Sequence, residues 1–152
     1  MKKIIHLNYP LDRAALLKDA EVARLSSSGY TDSRYPDLLI NEWTKSIYTS
    51  PTIEKLMKDF DVYGSPRFYF HGPFYTLPMH VDNGTTCSLN FMLSDDPAPI
   101  SFEDEDIVYH QALLNTTLPH AVCNGSHERI LLKISIFDKS FEEVAKTLKY
   151  VL

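Results

Sequence analysis

The chain has 152 residues, 44% of them apolar, with a net charge of −5 and a pI of about 5.6. That is one ordinary globular domain, long enough to close a substantial core. The acidity argues against general binding to nucleic acid or to anionic membranes, and no apolar run reaches the roughly 18 residues a membrane span needs.

The opening MKKIIHLNYPLDRAALL is interrupted by His6, Asn8 and Asp12, so it makes a poor signal peptide. Its first part, KKIIHLNY, suits a strand, and Leu11 to Leu25 suits a helix. Ser26 to Asp37 is polar and turn-rich and reads as a loop. Ser50-Pro51 offers an N-cap and an N1 proline to a short helix over Thr52 to Phe60.

From Ser65 the texture changes. RFYFHG, LPMHVD, TTCSLNFML, APISFED, IVYHQALLN, PHAVCN and ERILLKISIF are short segments rich in aromatic and β-branched residues, many divided by Gly, Pro, Asn or Asp. Such spacing is the mark of an antiparallel sandwich or barrel. The last segment has two unlike faces: Ile130, Leu132, Ile134 and Ile136 on one, and Arg129, Leu131, Lys133, Ser135 and Phe137 on the other. The aliphatic face suits a sheet covered by helices, the mixed face a cavity wall. Ser140 and Glu143 then form a capping box for a terminal helix. The expected organisation is a single domain over 1–152. It comprises a mixed α/β support (1–64), a jelly-roll core (65–138) and a C-terminal helix (139–152). The fold class is mainly β with flanking helices.

The chemistry concentrates in PMHVDN, Pro78 to Asn83, and in LPHAVCNGSHER, Leu118 to Arg129. His80 and Asp82 lie two apart in an expected strand, whose period places both on one face. An imidazole and a carboxylate suit a borderline divalent metal, and a second imidazole would complete a 2-His-1-carboxylate facial triad. His120, opening a strand, is the best candidate among His6, His71, His110, His120 and His127, although spacing alone does not settle the choice. His71, before a Gly-Pro turn, reads more simply as exposed or capping, and His127 as solvated. A 2-oxo acid held on such a metal leaves a distal carboxylate that needs a fixed cation. Arg129 offers a permanently charged fork of donors, and Lys133 on the same face is its rival. The plainer readings are a surface ion pair of Arg129 with Glu128 or Glu143, and a snorkelling surface Lys133. Phe68, Tyr69, Phe70, Phe74 and Tyr75 read as core and cavity wall, Trp43 as packing, and Glu103 to Asp106 as a solvated loop. Cys87 and Cys123 make no disulfide framework. Reduced thiols in a cytoplasmic protein are the default, with Cys123 read as a buried structural thiol rather than a redox-sensitive neighbour of the metal.

His80-x-Asp82, His120-x-Val122-x-Asn124 and an arginine nine residues past the distal histidine resemble the Fe(II)/2-oxoglutarate-dependent dioxygenase superfamily. The prolyl hydroxylase and aspartyl/asparaginyl β-hydroxylase groups are the nearest in flavour. The resemblance covers Arg67 to Asp138, and ALLNTTLPHAV resembles that family's approach to the distal histidine. It implies a double-stranded β-helix, or jelly roll. His80, Asp82 and His120 would bind Fe(II), Arg129 would pair with the C5 carboxylate of 2-oxoglutarate, and Tyr69 would be a further co-substrate contact. The implied reaction is hydroxylation of a peptide side chain, amino acid or small metabolite, with succinate as co-product. The loops at Gly72-Pro73 and Asn83-Gly84, with the polar N-terminal loop, would form the substrate entrance. Two rival readings stand beside it: a cupin-like metal-binding protein or non-oxygenase metalloenzyme, and a metal-free β-sandwich interaction module.

Overall fold

The computed structural model describes residues 2–29, 43–95 and 98–152. Its strands are β1 (Ile4–His6), β2 (Ser28–Gly29), β3 (Trp43–Ile47), β4 (Ser65–His71), β5 (Thr76–His80), β6 (Cys87–Met92), β7 (Ile100–Phe102), β8 (Asp106–Ile107), β9 (Gln111–Leu114), β10 (His120–Cys123) and β11 (Arg129–Ile136). They form two antiparallel sheets. The larger runs β1-β9-β6-β11-β4-β3-β2 and the smaller β5-β10-β7-β8. From β4 onward the chain passes from one sheet to the other, with β4, β6, β9 and β11 in the large sheet and β5, β7, β8 and β10 in the small one. Neighbours such as β11 and β4, or β5 and β10, are therefore distant in sequence. This alternation is the jelly-roll winding.

Three helices, α1 (Arg13–Arg24), α2 (Pro51–Phe60) and α3 (Phe141–Lys146), have their starts fixed locally. Asp12, Ser50 and Ser140 accept from the backbone N–H of Ala15, Ile53 and Glu143 respectively, each satisfying one of the donors a helix start leaves open. Ser50 Oγ also donates to Asp19 of α1 at 2.6 Å, tying the first two helices together. α1 starts two residues later than its apolar pattern suggests, because the Asp12 cap sets the boundary.

The two faces of β11 divide the molecule. Leu132, Ile134 and Ile136 join Leu16 and Ala20 of α1, Ile53 and Leu56 of α2, and Phe141 and Val144 of α3 in one apolar cluster. Arg129, Leu131, Lys133 and Ser135 face the other sheet and line a cavity of about 320 Å³. A second, smaller cluster, including Tyr69, Leu77, Ile100, Tyr109 and Val122, lies between the sheets. Gly64 makes the entry to β4 possible: a Cβ there would stand 2.5 Å from the Ser135 carbonyl oxygen.

Several local expectations are corrected. The segment IVYHQALLN is two strands, β8 and β9, in different sheets, because the chain crosses over between Val108 and His110. β3 carries no apolar period that marks it in the sequence: it holds its place by pairing with β4, Lys45 opposite Tyr69. Phe74 is 73% exposed rather than in the core, at the tip of a turn with a positive φ. Most of the expected loop from Ser26 to Asp37 lies outside the described residues, as does the Trp43 side chain.

Candidate metal centre

The small sheet brings together the two histidines of the motifs. β10 runs antiparallel to β5 with His120 directly opposite His80, and the ring centroids are 4.5 Å apart. The register slips between His120 and Val122, a bulge of the kind that re-aims a side chain. Asp82 lies past the end of β5 rather than inside it. Its backbone N–H donates to the Thr116 carbonyl at 3.3 Å, so the turn returns its carboxylate toward the histidines.

The three side chains converge. His80 Nε2 and His120 Nε2 each lie 3.3 Å from the same oxygen, Oδ1 of Asp82, and one ligand atom from each residue falls within 4.8 Å of the others. The opposite ring nitrogens are matched as well. His80 Nδ1 lies 2.8 Å from the Pro78 carbonyl oxygen and His120 Nδ1 2.8 Å from that of Leu118. A carbonyl can only accept, so Nδ1 donates in both, and each Nε2 faces the centre. Backbone anchoring of this sort orients metal-binding imidazoles. The donor set of two imidazole nitrogens and one carboxylate oxygen suits Fe(II), Zn(II) or a similar ion.

Lys133 is not a surface lysine. Its side chain is 16% exposed and its Nζ lies 2.6 Å from Asp82 Oδ2, the oxygen turned away from the histidines. Burial pushes the Asp82 carboxyl upward. Hydrogen bonds from His120 and His80 and the charge of Lys133 more than reverse this, holding it well below the usual carboxylate range. Burial likewise opposes the charge on Lys133, and Asp82 restores it, so its pKa is raised. The carboxylate is divided, with Oδ2 held by the lysine and Oδ1 turned to the two imidazoles.

Arg129 sits at the other end of the cavity and is 2% exposed. It makes no ion pair with Glu128 or Glu143: Glu128 is held by Arg24 of α1 at 2.7 and 2.9 Å. Its Nη1 donates to the Ala98 carbonyl at 2.7 Å and its Nη2 to Tyr109 Oη at 3.2 Å, while Nε has no partner. Tyr109 Oη also accepts from Asn90 Nδ2 at 3.0 Å. Among the described residues no carboxylate faces this guanidinium. A buried cation held only by neutral dipoles is costly unless an anion joins it. Tyr69 is buried on the same inner face, with its ring 5.7 Å from Lys133 Nζ, but Tyr109 is the tyrosine bonded to Arg129.

Other sequence expectations fall differently. His71 is buried on the cavity wall, not exposed, and burial, then the charges of Arg129 and Lys133, push its pKa well down. His110 and His127 are exposed, away from the triad. Both cysteines are free, Cys87 buried and Cys123 exposed, which reverses the reading of Cys123 as a buried thiol. Asn83 lines the cavity. Glu105 and Asp104 of the acidic run grip Lys3 at 2.6 and 3.0 Å.

Tyr109, Asn90, Lys45 and Arg67 also line the cavity and carry no motif. The available signal was strand alternation: Arg67-x-Tyr69-x-His71 and Ser88-x-Asn90 place a polar or aromatic residue at every second position of segments otherwise apolar.

No family model and no curated protein matches the chain. Solved structures do. A prolyl hydroxylase from Trichoplax adhaerens, in complex with a hypoxia inducible factor oxygen degradation domain peptide fragment, superposes with a TM-score of 0.68 at 14% identity, covering 94% of this chain and 84% of that one. A prolyl-4-hydroxylase from Pseudomonas putida gives 0.67 at 13% identity over 88% of this chain and 90% of that one. The viral collagen prolyl hydroxylase of Paramecium Bursaria Chlorella virus-1, solved as a 2OG complex, gives 0.57 at 11% identity, covering 88% and 95%. Together with two jelly-roll sheets wound in alternation, these likenesses give the chain the fold of the 2-oxoglutarate/Fe(II) oxygenases.

Proposed function

We propose that the protein is an Fe(II)- and 2-oxoglutarate-dependent oxygenase that hydroxylates a small-molecule or peptide substrate. The observation that carries this reading is the pair of Nε2 atoms aimed at one Asp82 oxygen, with both Nδ1 atoms anchored to backbone carbonyls. His80, Asp82 and His120 would hold the iron. The chemistry supplied there is activation of O2, spent in converting 2-oxoglutarate to succinate and CO2 and in placing the second oxygen atom on a substrate C–H bond.

The chain's own residues do the rest. Lys133 holds Asp82 Oδ2, so the carboxylate offers a single oxygen to the metal and leaves space for exogenous ligands. Arg129, buried and without an acidic partner among the described residues, provides the cation for the C5 carboxylate. Tyr109 and the Ala98 carbonyl orient its fork for a two-point grip. Tyr69, Leu131 and Val122 contribute the less polar wall of the cavity. The Trichoplax neighbour was solved with a peptide and the viral one with 2OG, which supports a site of this kind here.

The test is oxygen-dependent succinate formation from 2-oxoglutarate with added Fe(II). His80→Ala and Asp82→Ala abolish it together with metal binding. Arg129→Ala raises the 2-oxoglutarate concentration needed for half-maximal turnover by about a hundredfold, the loss of a charge-assisted bidentate grip worth roughly 3 kcal/mol. Iron-dependent turnover unchanged in His80→Ala ends the assignment.

A further inference from the structure

The protein is acidic overall, yet Asp82 is the only carboxylate that lines the cavity among the described residues, against Lys45, Arg67, Arg129 and Lys133. Two of these cations already have an assignment: Lys133 holds Asp82, and Arg129, with Tyr109, closes one end. The other two stand on the opposite flank of the large sheet. Arg67 of β4 is the cross-strand neighbour of Lys133, and Lys45 of β3 lies opposite Tyr69, two residues further along β4. Arg67 is half-buried, its Nε is fully enclosed without a hydrogen-bond partner, and no described carboxylate pairs with it. Lys45 lies near enough that Arg67 and Lys133 add to burial in lowering its pKa. Lys45 thus sits in positive surroundings, an arrangement that an incoming anion relieves.

We propose that Arg67, reinforced by Lys45, is an anion subsite separate from the Arg129 end, and that it receives a carboxylate of the substrate itself. The substrate would be a small acidic molecule, or an acidic residue of one, in a cavity whose volume of about 320 Å³ it must share with 2-oxoglutarate. The word substrate rests on the oxygenase reading; the anion subsite does not. The Arg67 guanidinium lines the cavity, and such a planar fork binds a carboxylate through two parallel hydrogen bonds. A neutral substrate would leave the guanidinium without a counter-charge.

The test follows the Arg67 Nε–H resonance in 15N-labelled, Zn(II)-loaded protein saturated with 2-oxoglutarate, which cannot turn over. Acetate is titrated as the probe, with acetamide as its neutral counterpart and inorganic phosphate as the alternative oxyanion. The expected result is a saturable shift with acetate and none with acetamide. Arg67→Lys weakens acetate binding about tenfold, as read on the neighbouring backbone amides. A shift that never saturates, or that acetamide reproduces, overturns the subsite. Phosphate binding tighter than acetate overturns the assignment to a carboxylate. Competition between 2-oxoglutarate and acetate for Arg67 shows that this arginine holds the co-substrate, and it too overturns the proposal. Should 2-oxoglutarate fail to bind while acetate still shifts Arg67, the oxygenase reading falls and the anion subsite stands. With iron and oxygen, acidic compounds then stimulate 2-oxoglutarate consumption above their amides, and equal stimulation by the amides counts against the proposal.

Discussion

The two sheets of the sandwich do different work. The large one contains the long strands, β11 with eight residues and β4 with seven, and three helices cover its outer face. It carries the cations on its inner face: Lys45, Arg67, Lys133 and Arg129. The small sheet has strands of two to five residues and leaves Met79 and Val81 exposed. Yet it and the turn behind it supply all three candidate metal ligands. A thin sheet positions them because each ligand has its own anchor: a carbonyl for each imidazole, and Thr116 and Lys133 for Asp82. Stability resides where the helices pack, and ligand geometry resides in short-range hydrogen bonds.

That division can be broken by measurement. The largest effect belongs to the covered face: Leu132→Ala, at a fully buried position, costs about 3 kcal/mol in urea unfolding, while Met79→Ala on the small sheet changes stability by less than about 0.5 kcal/mol. A Met79→Ala loss approaching that of Leu132→Ala refutes the division. Next comes the bond that joins the sheets. Lys133→Met leaves the buried Asp82 carboxylate without its cation and destabilises the metal-free protein by roughly 3 kcal/mol. Zn(II) restores most of that loss, because the ion repairs the charge balance. A loss of the same size with and without Zn(II) would mean that Asp82 does not meet the metal.

The smallest effect separates the thiols. Cys123 of the small sheet reacts at once with a thiol reagent, and Cys87 of the large sheet only after unfolding. Burial pushes the Cys87 thiol up to about 11, above the roughly 8.5 of an unfolded chain. Its contribution to stability is therefore complete below about pH 8.5 and is lost as pH rises through about 11. The stability difference between the protein and Cys87→Ala should shrink over that interval, and a constant difference contradicts the assigned burial.

Much of the site lay open in the sequence, for a reason that also sets the limit. His80-x-Asp82 is one local motif, and the opposite faces of β11 show in its alternation, because a strand's period is a property of adjacent residues. Lys133 reads as a surface lysine, because from its own strand it is one polar residue among alternating positions, and only the turn after β5 brings Asp82 to meet it. His71 reads as exposed for the same reason, since its burial comes from the strands on either side. Tyr109 stood in a segment that the sequence reads as one strand, and the crossover that sends β9 to the other sheet leaves no local mark.

The sequence by itself determined the strand-rich class, the helix starts at Ser50 and Ser140, and the candidate ligands. All of these depend on interactions within a few residues. The tertiary structure alone decided that His120 stands across from His80, that Lys133 divides the oxygens of Asp82, and that Arg67 and Arg129 face opposite ends of one cavity. Those relations depend on strand pairing and sheet stacking between segments tens of residues apart, where side-chain pattern carries no record of the partner.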